Sequence, residues 1–109
     1  MVTDNAAGAA GTIAADRTAK AVPDGYTLGY LAQGALVINP SLSKLGYEAV
    51  KDFSPVSQIT VSSNVLVVHN AVAAKSVKEL VALAKAQPGV LTYASGGSGS
   101  APHLAGEFF

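Results

Sequence analysis

Apolar and polar positions follow two different periods along this chain. Val77, Leu80, Val81 and Ala84 fall at i, i+3, i+4 and i+7, which predicts an amphipathic helix over 77–87. Ser76 and Glu79 supply a capping-box start, and Pro88-Gly89 supplies the stop. An alanine-rich helix is predicted over 12–22, with Asp16 and Lys20 spaced for an i,i+4 pair; Pro23-Asp24-Gly25 ends it in a turn. A last helix is predicted from Ala101 onward, with Pro102 near its first position.

Between these helices the pattern changes. Residues 26–31, 56–61, 65–69 and 91–95 are short runs rich in valine, leucine, tyrosine and threonine, bounded by turn residues, and they read as strands. Val65-Leu66-Val67-Val68 is continuously apolar, which suits a strand covered on both faces. Residues 35–42 are ambiguous: Leu36, Val37 and Ile38 could extend a strand, or Asn39-Pro40-Ser41-Leu42 could open a short helix. Residues 45–55 read as a loop with an aromatic anchor at each end, Tyr47 and Phe53. Helices alternating with strands predict an α/β fold with a largely parallel sheet flanked by helices.

Composition narrows the function classes. The chain has 109 residues, half of them hydrophobic and 13% charged, as in a globular domain. Seven basic residues balance seven acidic ones with no basic patch, so nucleic acid is not an expected partner. Cysteine is absent, and His69 and His103 lie in no metal-ligand spacing, so neither a metal nor a cofactor is expected. Residues 1–5 carry no basic or apolar leader pattern, and no apolar run of about 18 residues exists, so the chain taken alone is expected to be soluble and unexported.

The candidate chemistry lies in two loops. Ser95-Gly96-Gly97-Ser98-Gly99-Ser100 runs from a predicted strand into a predicted helix. Such a loop can aim backbone N–H groups, hydroxyls and a helix N-terminus at a carboxylate or phosphate, although it would serve equally as a flexible turn. It matches neither the dinucleotide-binding nor the P-loop spacing. The second loop is Gln33-Gly34-Ala35, after the first predicted strand and expected at the same sheet edge. His103 could face the ligand loop or satisfy neighbouring backbone. A serine hydrolase built on Ser98 or Ser100 with His103 is the competing reading, but Gly96-Gly97-Ser98-Gly99-Ser100 departs from the nucleophile-elbow pattern at its last residue. No catalytic residue is assigned.

Four ordered motifs carry a family resemblance. They are Pro23-Asp24-Gly25-Tyr26-Thr27-Leu28, Ile38-Asn39-Pro40-Ser41-Leu42, Lys51-Asp52-Phe53-Ser54-Pro55-Val56, and Tyr93-Ala94-Ser95 through Pro102-His103-Leu104-Ala105-Gly106-Glu107. Together they resemble the Bug family, the receptors of tripartite tricarboxylate transporters. The resemblance implies a periplasmic solute-binding protein of two α/β lobes that closes on a small carboxylate and works with the membrane components of the transporter. It makes residues 1–109 a partial lobe, with 95–109 entering the crossover to the second lobe. The implied ligand residues are Gln33, Gly34, Ala35, Ser95, Gly96, Gly97, Ser98, Gly99, Ser100 and His103. The alternative is a truncated chain without binding activity of its own, and self-association through uncovered apolar surface is expected. One departure stands out: where the family often has Asn-Arg-Pro-Gly-Ala-Gly-Gly, this chain has Asn5-Ala6-Ala7-Gly8-Ala9-Ala10-Gly11.

Overall fold

The computed structural model describes residues 1–109. Its regular elements are all helical. Helix α1 spans Thr12–Ala19, after one 3-10 turn at Ala9–Gly11; a π-helical turn at Gly34–Ile38 runs into α2, Asn39–Leu42; α3 spans Val77–Ala86 and α4 spans Ala101–Phe108.

The expected parallel sheet is absent, and the α/β assignment is corrected accordingly: no strand forms anywhere in the chain. The four strand-like runs carry no regular secondary structure and make no ladder. The physical reason lies in what a parallel sheet requires, namely a hydrogen-bonded neighbour for each strand and a cover on both faces. Here the side chains of 56–61 and 65–67 stay exposed, Val56 by 86% and Val65 by 80%. β-branched composition favours an extended backbone but cannot provide the partner strand.

The ambiguous stretch resolves as helix. Residues 34–42 are helical throughout, and Pro40, inside this continuous stretch, offers no N–H to the carbonyls of the turn before it. The predicted turn at Pro23-Asp24-Gly25 forms as an Asx turn, in which the Tyr26 N–H donates to Asp24 Oδ1 at 2.9 Å.

The contacts divide the chain into two compact units, residues 1–62 with 95–109, and residues 63–94. The first has a small core of Ala15, Ala35 and Tyr47, with Ala19, Leu31, Leu45, Ala49 and Phe53 packed around it. Alanines at 15 and 35 let the helical backbones approach, and Tyr47 fills the remaining space. Its hydroxyl donates to the Ala35 carbonyl at 2.6 Å, and its ring meets Phe53 edge-to-face at 5.6 Å. Burial, helped by the Asp16 carboxylate, raises the Tyr47 pKa above its ordinary value. The two aromatics expected to anchor the 45–55 loop therefore do so.

The second unit is organised by α3. Ser76 Oγ accepts from the Glu79 N–H at 3.2 Å, as the capping-box pattern predicts. The Glu79 carboxylate reaches one residue further back than that pattern requires, accepting from the Lys75 N–H at 2.7 Å. Leu80 is buried, Val81 and Ala84 are half-buried, and Val77 stays exposed. His69 ends its run with Nδ1 accepting from the Ala71 N–H at 3.2 Å.

Candidate functional site

Within the first unit, two small-residue loops face one open pocket of about 560 Å³. That volume lies in the range of about 300–1,000 Å³ usual for small-molecule sites. One wall is Gly8, Ala9, Ala10, Gly11 and Thr12; the other is Gly96, Gly97 and Ser98; Asn39, Ser43 and Leu45 complete the lining.

The first wall is a left-handed turn. Gly8, Ala9, Ala10 and Gly11 all have positive φ, at 124°, 46°, 51° and 90°. Ala9 and Ala10 pay a steric cost for this, since a β-carbon crowds the backbone in the left-handed region. The turn is closed by the Gly11 N–H to the Gly8 carbonyl and by the Thr12 hydroxyl to the Ala9 carbonyl, both at 2.9 Å. It feeds α1, whose N-cap residue is Gly11 and which receives no side-chain cap.

The second wall behaves differently. Ser95 Oγ accepts from the Gly97 N–H at 3.3 Å, and the Ser100 N–H donates to the Gly97 carbonyl at 3.1 Å. Ser100 Oγ then caps α4 by accepting from the His103 N–H at 3.3 Å. Pro102 has no N–H to offer. The start of α4 therefore keeps few donors for a ligand; at the start of α1, which lacks a side-chain cap, the Gly11 and Thr12 N–H groups are likewise taken, by the Gly8 and Ala9 carbonyls.

Close backbone approach joins the walls to the helix between them. A β-carbon on Gly34 would stand 2.7 Å from the Gly99 carbonyl oxygen and 3.4 Å from that of Ala10. A β-carbon on Gly99 would collide with the Asn39 carboxamide. Asn39 is only 7% exposed, and its Nδ2 has no hydrogen-bond partner. An orphaned buried donor of this kind costs about 1–3 kcal/mol.

Each residue singled out in the sequence has a definite place. Gly96, Gly97 and Ser98 line the pocket. Gly34, Ala35 and Gly99 are buried behind it, and Gln33 is exposed outside the lining. Ser95 and Ser100 hold the loop and the cap. His103 is half-buried in the first turn of α4, with Nε2 4.0 Å from Glu107 Oε1 and Nδ1 buried without a partner. The Ser100 hydroxyl engages the His103 backbone rather than its ring. The lining also takes in Gly8–Thr12, Asn39, Ser43 and Leu45, none of which the sequence reading assigned as a ligand residue. The available signal was the glycine–alanine run leading straight into a helix, the same loop-to-helix transition that marked 95–100.

No charged side chain lines the pocket; its polar groups are amides, hydroxyls and one carboxamide. Comparison with known proteins identifies the lineage of this arrangement. A family model described as the tripartite tricarboxylate transporter family receptor matches residues 1–109. The chain belongs to this receptor family. It is 40% identical to a UPF0065 protein of Bordetella bronchiseptica over 98% of its own length and 32% of that protein's. It is 38% identical to the protein BugT of Bordetella pertussis, with 100% of this chain and 34% of BugT covered. A UPF0065 protein from the tcbD-tcbE intergenic region of a Pseudomonas species is 35% identical over 96% of this chain and 31% of that protein. The chain thus spans about a third of the length of the curated relatives it matches. No solved structure matches it. The family is one of transport receptors rather than enzymes, and no helix in the chain is long and apolar enough to cross a membrane.

Proposed function

We propose that this chain forms one wall of a receptor site that captures a small organic carboxylate for uptake, outside the cytoplasm, by a tripartite transporter. The observation that carries this reading is the neutral pocket between Gly8–Thr12 and Gly96–Ser98, lined by backbone and hydroxyl groups without a charged side chain. Backbone N–H dipoles and hydroxyls there suit an anion without a counter-charge. Membership of the receptor family supports the same role and the pairing with membrane components. The reading makes residues 1–109 part of one lobe, so affinity of this chain alone is expected to be weak.

The test is a titration of the full chain with citrate and with succinate, read by isothermal calorimetry and by proton–nitrogen correlation spectra. The expected result is saturable movement of the backbone amides of residues 8–12 and 96–98. Amides in both loops that stay fixed under both acids would sink the reading.

A further inference from the structure

The carboxamide of Asn39 occupies an unusual position in this pocket. It is a polar side chain more than nine-tenths buried, it belongs to the lining, and its Nδ2 lacks any partner. Its setting is tight: glycine at 99 is what leaves room for the amide beside the second loop. Pro40 follows it in the first turn of α2, and Ile38 before it is buried, so the backbone carrying the amide is held on both sides.

A buried donor without an acceptor is a deficit in the empty site. Rotation of an asparagine amide about its last torsion is broad and nearly two-fold, so Nδ2 can turn without moving the backbone. With no lysine, arginine or histidine in the lining, a carboxylate in this pocket meets one strong side-chain N–H₂ donor, that of Asn39.

We infer that Asn39 is the specificity-determining residue of the pocket, turning its Nδ2 to donate to a carboxylate oxygen of the bound solute. This rests on the carboxylate-capture reading and adds to it a named recognition group. With Nδ2 turned toward the guest, an asparagine here offers an acceptor-rich solute a hydrogen bond that its Oδ1 would not.

The experiment uses the full chain, citrate as probe, and Asn39→Asp as variant, which keeps the shape but replaces the donor with a repelling carboxylate. Citrate affinity is expected to fall by about tenfold or more. In the unmutated chain the Asn39 side-chain N–H₂ signals are expected to shift with the same concentration dependence as the amides of residues 96–98. That second readout needs no variant and stands if Asn39→Asp fails to fold. Unmoved Asn39 signals alongside moving loop amides, or a folded Asn39→Asp chain that binds citrate as well as the parent, would overturn the assignment while leaving carboxylate capture intact. Loop amides that do not move at all would overturn both.

Discussion

Gly34 and Gly99 touch backbone to backbone: a β-carbon on Gly34 would lie 2.7 Å from the Gly99 carbonyl oxygen. Neither partner has a flexible side chain that could yield. Gly34→Ala should therefore destabilise the chain by about 1–3 kcal/mol, because overpacking must shift main chain. Gly96→Ala is the control, since its β-carbon would meet only Ser100 side-chain atoms at 3.5 Å and 3.6 Å. Thermal melts of the two variants check this, with Gly96→Ala expected to match the parent.

Ala10 has a left-handed φ of 51°. Ala10→Gly should relieve steric strain of about 1–2 kcal/mol, offset in part by the greater freedom of glycine in the unfolded chain. The expected net effect is a modest rise in stability in urea titration. A fall would show that the β-carbon of Ala10 contributes packing that outweighs its strain.

Tyr47 links a hydrogen bond to a pH dependence. Tyr47→Phe removes the donor to the Ala35 carbonyl and should cost about 1–3 kcal/mol, since that buried acceptor loses its partner. Burial and then Asp16 raise the Tyr47 pKa above 10.0. The folded state thus holds this proton more tightly than the unfolded chain does. Its contribution is complete below pH 10.0 and is lost as pH rises through the raised value. The difference in stability between parent and Tyr47→Phe should shrink over that range, as equilibrium unfolding at a series of alkaline pH values would report.

The runs at 56–61 and 65–67 expose Val56, Ile59, Val61, Val65 and Val67. Apolar, β-prone segments with open backbone groups invite pairing between chains. Size-exclusion chromatography with light scattering should show concentration-dependent association. Val65→Lys with Val67→Lys should reduce it, since charge on an exposed β-prone run opposes pairing. A monomer at all concentrations would contradict this expectation.

Much of the helical framework was legible in the residues. Ser76 and Glu79 opened α3, and Pro88-Gly89 lay just beyond its end at Ala86. Pro102 marked the start of α4, and Asp24 with Gly25 marked the turn after α1. Three of the pocket's residues, Gly96, Gly97 and Ser98, were legible as a glycine–serine loop entering a helix. Gly8–Gly11 were not read as a pocket wall, because their partner across the pocket lies nearly ninety positions away in the chain.

The sequence by itself determined the starts of α1, α3 and α4, the turn at Pro23-Asp24-Gly25, and the anchoring aromatics, whereas α1 stops at Ala19, short of the expected 22. The helix starts and the turn depend on groups within about one helical turn of each other. Tertiary structure alone decided that 26–31, 56–61, 65–69 and 91–95 stay unpaired, and that Asn39 meets Gly99 beneath the pocket. A strand exists only through a neighbour, and a close approach only through both of its members. Neither condition is written in the local pattern of either segment.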